Sequence, residues 1–265
     1  MRDVREIAVL RSLLPIGRVI ELAGLFEHVG IGMEELQRFV ERLEQCGFRF
    51  HQTESALSVV KEPEILIPEM IMAGLQTTRI GRDVLVFKET LSTNDRARQA
   101  GLGGAEEGLV IFAESQTGGR GTQGRKWVSR AGAGLWFSIL LRAAVCAPDW
   151  ALLVKMAAVA CAEAVEKLVG ESIRIKPPND LILNGGKLAG FLLETSNAWD
   201  FQVLGIGLNV RSAPVIEDHP TAAIEQFTDG SISRNALAAD LLNHFDDWYV
   251  RRSFAEISPA FDSRT

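Results

Sequence analysis

Thr117–Trp127 reads T-G-G-R-G-T-Q-G-R-K-W. Four glycines (Gly118, Gly119, Gly121, Gly124) share this segment with three cations (Arg120, Arg125, Lys126), and a tryptophan closes it. Glycines let backbone amides come close to a ligand, and they let a loop be open when empty and folded when filled. Cations among them suit a carboxylate, a polyphosphate or both. The stretch is not a Walker loop, because Arg125 and Lys126 stand where that pattern needs Lys followed by Ser or Thr. A solvated glycine-rich hairpin is the plainer reading. The flanks weigh against it: GLVIFAES (Gly108–Ser115) reads as a buried strand entering the segment, and GLWFSILLR (Gly134–Arg142) as the strand leaving it. The loop therefore joins two strands, as a flap over a sheet does.

Further out, VLVFKET (Val84–Thr90) has strand alternation and is followed by Ser92-Thr93-Asn94-Asp95. Any of these short polar side chains can cap a helix predicted to begin near Arg96; alternatively, the hydroxyls and the amide face a polar ligand at its start. On the other side, Asp149–Val169 is a nearly all-apolar helix with alanine spacing, expected to pack on the sheet; Met156 and Cys161 in it read as packing. Then comes IRIKPPNDLILNGGKLAGFLLET. Its first strand, Ile173–Lys176, stops at Pro177-Pro178, since neither proline offers an amide to a ladder. Asn184-Gly185-Gly186 is a hairpin turn, and Lys187 begins a returning strand through Glu194. Asn179, Asp180 and Lys187 each have a bland role in turns. Together they place an amide, a carboxylate and a lysine beside a backbone that cannot slide. FQVLGIGLNV (Phe201–Val210) is another buried strand, with glycines for close approach and Asn209 near its end. Asn235–Arg252 reads as a surface helix.

Residues 1–62 read as three short helices and a strand pair. Val4–Leu14 has helical spacing ended by Pro15 and Gly17; Val19–Val29 is the second apolar-periodic segment. Met33–Gln45 is the third, with Leu36, Phe39, Val40 and Leu43 on one face. FRFHQ and ALSVV then form a hairpin around Thr53–Ser55. This order is winged-helix-like. Its third helix carries Glu34, Glu35, Glu41 and Glu44 against Arg38 and Arg42, a poor match for phosphates, so DNA binding is disfavoured. Residues 63–82 read as a connector with a short helix near Glu69–Leu75.

Composition sets the frame. The chain has 265 residues, 47% hydrophobic and 23% charged, enough for one large domain and a small one. A net charge of -6 argues against general affinity for nucleic acid or anionic membranes. Cys46, Cys146 and Cys161 are odd in number and widely spaced, which suits free thiols rather than disulfides or zinc. His28, His51, His219 and His244 are scattered. The start mixes acids and bases and does not read as a signal peptide, and no run is apolar enough to span a bilayer. A soluble, cytoplasmic protein is the expectation.

Four blocks in order, Ser92-Thr93-Asn94, the Gln116–Trp127 loop, KPPND with GGKLAG, and GIGLN, resemble the biotin protein ligase family over roughly residues 83–250. The winged-helix-like region extends the likeness to its two-function, regulatory branch. The resemblance implies an α+β fold: a class II synthetase-like mixed β-sheet flanked by helices over 83–265, preceded by the small domain. It implies a ligase that makes biotinyl-5′-AMP from biotin and ATP with Mg²⁺. The biotinyl group then passes to a lysine of a biotin carboxyl carrier domain of a biotin-dependent carboxylase. By position, Ser92, Thr93, Asn94 and Gln116 lie around biotin, and Arg120, Gly121 and Thr122 close over its carboxylate and the α-phosphate. Arg125, Lys126 and Trp127 belong to the nucleotide side. Lys176, Asn179, Asp180 and Asn209 meet phosphates and Mg²⁺, with Asn179 and Asp180 as the metal pair. Lys187 holds the carboxylate and acyl-phosphate oxygens, so Lys187, Arg120 and Lys176 are the catalytic candidates. A homodimer through a sheet edge occurs in similar proteins.

Three departures qualify the likeness. Thr122 stands where the pattern has a second loop arginine, which predicts weaker retention of the acyl-adenylate. Pro177 stands where the pattern has tryptophan, removing an aromatic and a backbone donor beside Lys176. The sequence stops at Thr265, before the small β-barrel domain usual in relatives, which predicts poor turnover unless that domain is cut from this sequence or comes from another chain. The alternatives are a degenerate biotin-binding or regulatory protein, a lipoate or octanoate transferase of the same fold, and a repressor.

Overall fold

Gly74 closes one unit of the chain and Leu75 opens another, each with its own core. The structure, a computed structural model, describes residues 4–142, 151–195, 198–250 and 254–265. Cys146, the expected helix start at Asp149 and the expected helix end at Arg252 lie outside the described residues.

The first unit contains α1 (Val4–Ser12), β1 (Ile20–Glu21), α2 (Leu22–Val29), α3 (Met33–Gln45), β2 (Arg49–Gln52), β3 (Ala56–Lys61) and α4 (Pro68–Gly74). α3 buries Leu36, Phe39, Val40 and Leu43, the face its spacing predicts. One expectation changes. The segment from Val19 is not helical at its start: Ile20 and Glu21 pair with Leu57 and Ala56, making a three-stranded sheet β1-β3-β2. β-branched residues at 19 and 20 favour that extended entry. The short helix expected near Glu69–Leu75 is α4. α4 buries Met70, Ile71 and Ala73, and Arg11 of α1 donates to its terminal carbonyls at Ala73 (3.1 Å) and Met72 (3.2 Å).

In the second unit, β4 (Asp83–Thr90), α5 (Thr93–Leu102) and β5 (Leu109–Gln116) form a parallel crossover. β6 (Gly134–Arg142), α6 (Ala151–Val169), β7 (Arg174–Lys176), β8 (Asp180–Leu183), β9 (Gly186–Glu194) and β10 (Phe201–Asn209) follow. Two helices, α7 (Arg234–Val250) and α8 (Phe254–Asp262), complete it. The seven strands make one mixed sheet, β4-β5-β6-β10-β9-β8-β7, antiparallel except for β4–β5.

Strand alternation on β10 shows how this sheet makes room for a site. On one face Phe201 and Val203 pack with Ala97 of α5. The next residues on that face are Gly205 and Gly207, and the strand ends at Asn209. Bulk under the body of the helix gives way to bare backbone from its first turn onward. The opposite face meets α7, whose buried Arg234 bonds Glu114 of β5 at 2.8 Å.

α7 corrects the expected surface helix. It buries Leu237, Leu241, Leu242, Phe245, Trp248 and Tyr249, and Trp248 Nε1 donates to Glu163 of α6 at 2.9 Å. It also grips the chain entering this unit. The Asp246 carboxylate accepts from the amides of Thr78, Arg79 and Ile80, at 2.8, 2.9 and 2.8 Å. α8 was not foreseen in the sequence; after it, the Arg264 carbonyl accepts from the Ile175 amide of β7 at 2.8 Å. Cys161 is fully enclosed in α6, and burial pushes its thiol up. Among the described residues no helix is long and apolar enough to cross a membrane.

Candidate active site

The helix expected near Arg96 begins at Thr93, and its N-terminal donors are met from outside. Ser92 is the N-cap but makes no side-chain cap bond. The Thr93 amide donates instead to Gln116 Oε1 at 2.8 Å, one of the donors every helix start leaves over. Gln116 Nε2 donates onward to Ser129 Oγ at 2.8 Å. Ser138 Oγ lies 2.7 Å from Thr93 Oγ1 and 2.6 Å from Asn94 Oδ1. Asn94 is thereby fixed over Gly205, where a Cβ would come within 2.3 Å of Oδ1. Its Nδ2 is buried with no partner among the described residues. A buried donor costs free energy until something accepts from it.

The Thr117–Trp127 segment is not open. It folds as a hairpin, with the Gly121 amide on the Arg125 carbonyl (2.7 Å) and the Trp127 amide on Gly119 (2.9 Å). A 3-10 turn at Thr122–Gly124 closes it, with Gln123 and Gly124 at positive φ. Arg125 donates to Thr122 Oγ1 at 3.2 Å, so these two tip residues bind each other. Trp127 lies on Gly207 and Gly190, which are paired across β10 and β9; a Cβ on Gly207 would meet the indole at 2.4 Å. Only backbone this bare admits the ring. Trp127 Nε1 is buried and unpartnered among the described residues.

The β8–β9 hairpin turns through Asn184 and Gly185 at positive φ, as its sequence predicts. Its ladder then slips: Leu181 pairs with Ala189, but Ile182 pairs with Lys187. Leu188 is the extra residue of a bulge, which turns Lys187 onto the face of Gly190. Lys187 Nζ sits 2.6 Å from Asp180 Oδ1 and 5.4 Å from the Trp127 ring centre. Asn179 Nδ2 donates to the Phe191 carbonyl at 2.8 Å. Asn209 Nδ2 donates to Ala222 at 3.0 Å, and its Oδ1 is buried and unpartnered among the described residues.

These three pieces wall one cavity of about 860 Å³. Ser92, Thr93, Asn94 and Gln116 line it, as do Arg120, Gly121, Thr122, Arg125, Lys126 and Trp127. Lys176, Asn179, Asp180, Lys187 and Asn209 line it as well. Arg120 and Lys187 therefore share a pocket. Pro177 lies in the wall beside Lys176, so the site there has a small ring rather than a large aromatic.

Each of those two cations faces carboxylates. Arg120 is bidentate to Asp95, Nη1 to Oδ2 and Nη2 to Oδ1 at 2.9 Å each, and Nη2 also reaches Glu194 Oε1 at 3.1 Å. The hydrogen bond from Arg120 holds the Asp95 carboxyl below its usual range, with burial opposing; Asp95 in turn raises the guanidinium. Sequence reasoning missed Asp95, Glu194, Ser129 and Ser138, whose roles depend on tertiary neighbours. It also missed the rim segment Pro214–Thr221, where Thr221 bridges Lys187. The signal available there was its position directly after GIGLN.

A sequence profile described as the Biotin/lipoate A/B protein ligase family matches residues 86–210. A biotin--[acetyl-CoA-carboxylase] ligase of Mycobacterium tuberculosis is 36% identical over 188 residues, covering 69% of this chain and 70% of that protein. A bifunctional ligase/repressor BirA of Bacillus subtilis is 29% identical over 231 residues, covering 83% of this chain and 70% of that one. Among solved structures, biotin protein ligase from Aquifex aeolicus in complex with biotin and ATP superposes with a TM-score of 0.60 at 26% identity. The match covers 69% of this chain and 78% of that one.

Proposed function

Because this chain belongs to the biotin protein ligase family, we propose that it activates biotin with ATP and transfers it to a lysine of a carrier domain. The observation that carries the reading is the single cavity shared by the loop arginine Arg120 and the hairpin lysine Lys187. The first half-reaction joins a biotin carboxylate oxygen to the α-phosphorus of ATP and expels pyrophosphate. In the second, the carrier amine attacks the acyl carbon, loses a proton, and AMP leaves. The first requires that like charges be brought together, and the second that charge building on the departing AMP be stabilised; fixed cations do both without covalent catalysis.

Under this reading the polar end, Ser92, Thr93, Asn94 and Gln116, receives the ureido head group. The unpartnered Asn94 Nδ2 favours an acceptor such as a ureido oxygen over the dithiolane of lipoate or the tail of octanoate. Arg120 and Lys187 flank the carboxylate and the α-phosphate, with Lys176 towards the phosphates. Arg125, Lys126 and Trp127 take the nucleotide side, Trp127 offering its indole and Asn209 its unpartnered Oδ1. Among the described residues no three His, Cys, Asp or Glu side chains gather into a metal site. Asn179 and Asp180 supply one carboxylate and one amide oxygen, a donor set that fits Mg²⁺ arriving with nucleotide phosphates. Bound there, Mg²⁺ would neutralise phosphate charge.

The N-terminal unit resembles a repressor domain in outline, but both arginines of α3 are already paired. Arg38 bonds Glu34 at 3.5 Å and Arg42 bonds the buried Glu6. We infer a structural or protein-contacting role for it rather than a grip on DNA; salt-sensitive operator binding would contradict this.

The deciding experiment incubates the chain with biotin, MgATP and an apo-carrier domain and reads intact mass. One biotinyl group on one carrier lysine is expected. Pyrophosphate released with lipoate or octanoate but not biotin would overturn the substrate, and biotin binding without any pyrophosphate would mark a non-ligating binder.

A further inference from the structure

We propose that Asp95 positions the loop arginine permanently, and that Glu194 is an internal anion which the substrate acid displaces from it. The inference rests on the ligase reading above. A guanidinium holds five N–H donors in a rigid plane. Asp95 takes one from each terminal nitrogen of Arg120, at 2.9 Å, an end-on pair that fixes the plane. The second Nη2 hydrogen goes to Glu194 at 3.1 Å. Because the end of the fork is occupied by Asp95, this hydrogen is the one beside Nε–H. Arg120 Nε has no polar partner among the described residues. A carboxylate or phosphate that binds in a two-pronged way therefore uses Nε and Nη2 together, and it must take the place of Glu194. Asp95 need not move.

The two carboxylates are held unequally, which decides their roles. Asp95 stands in the first turn of α5, where a helix favours a negative charge, and its Oδ1 also accepts from Arg98 at 3.0 Å. With both Arg120 bonds it has three anchors. Glu194 is the last residue of β9, and its carboxylate has the one bond to Arg120. The weaker tie is the one on the Nε side of the guanidinium, the side left for a two-pronged acid. Exchange of Glu194 for a substrate acid also leaves the number of anions on the arginine unchanged, so the incoming charge meets a site already balanced for it.

The test measures calorimetric binding of biotin and of its alcohol analogue, which has no anion, to the full chain and to two variants. Glu194→Gln removes the competitor's charge and is expected to tighten biotin about fivefold. Asp95→Asn breaks the end-on pair and is expected to weaken biotin about tenfold. Binding of the alcohol should change little in either. A merely structural role would move both ligands together. The proposal is overturned if Glu194→Gln weakens biotin, or if it shifts biotin and the alcohol equally. Should Asp95→Asn fail to fold, the Glu194 arm decides alone. Wild-type protein that binds no biotin would sink the ligase reading itself, and this inference with it; biotin binding indifferent to Glu194 sinks only the latter.

Discussion

Lys187 and Gly190 lie on one face of β9 although they are three residues apart. In a regular strand that spacing puts two side chains on opposite faces. The bulge at Leu188 removes the conflict, and Lys187 Nζ comes within 3.5 Å of where a Gly190 Cβ would stand. One inserted residue thus decides whether the hairpin lysine serves the cavity or the far side of the sheet.

Lys187→Met should separate activity from stability. Its bond to Asp180 is partly exposed, and such pairs contribute about 0–1 kcal/mol, so the melting temperature should change little. Biotin-dependent pyrophosphate release should fall roughly 10²–10³-fold, the usual cost of losing one fixed donor to a developing charge. Unchanged release in a folded variant would remove Lys187 from the reaction.

Gly207→Ala tests the floor under Trp127. The new methyl would stand 2.4 Å from the indole nitrogen, so the ring must lift and the loop base must follow. Overpacking of this kind costs about 1–3 kcal/mol. On the proposed placement of Trp127 at the nucleotide side, KM for ATP should rise about tenfold and KM for biotin much less. Equal rises would place the indole elsewhere.

The sequence made legible those parts of the site that depend on backbone chemistry. Pro177-Pro178, Asn184-Gly185 and the glycines of Thr117–Trp127 restrict or free φ in ways that hold in any context, and each marks a real stop, turn or hairpin. The bulge at Leu188 was not legible, because a buried leucine in a ladder carries no local sign of slippage. Nor were the partners of Arg120: Asp95 looks like one more helix-start residue and Glu194 like a strand terminus until the fold joins them. α7 was misread as a surface helix for a related reason. Asn243, Asp246 and Asp247 suggest solvent, yet the Asp246 side chain is only 3% exposed because it caps amides from far along the chain.

Thr122→Arg probes the departure at the loop tip. In this chain Thr122 accepts from Arg125, so the tip offers the cavity one cation fewer and uses another internally. An added arginine supplies a charge-assisted donor to the acyl-adenylate. Release of biotinyl-AMP, followed by labelling of bystander amines, should be about tenfold faster from the unmodified chain than from the variant. Equal release from both would show that Thr122 does not limit retention.

Asp246→Asn should lower stability and leave the site alone. The carboxylate takes three backbone amides and the Thr78 hydroxyl, the last at 3.2 Å, so every strong acceptor position is used. An asparagine has one oxygen for these donors, and its NH₂ would face the rest. Leaving buried donors unmet costs about 1–3 kcal/mol for each group, and the total here should be about 2–4 kcal/mol. For a unit of this size that is roughly 5–10 °C in melting temperature. The clamp holds the chain just before β4 begins at Asp83, whereas Ser92 and the polar end of the cavity follow the other end of that strand. KM for biotin in the folded fraction should therefore stay within about twofold of the unmodified chain, as expected for a change far from the site. A large rise in KM without a fall in melting temperature would mean that α7 acts on the site rather than on the fold.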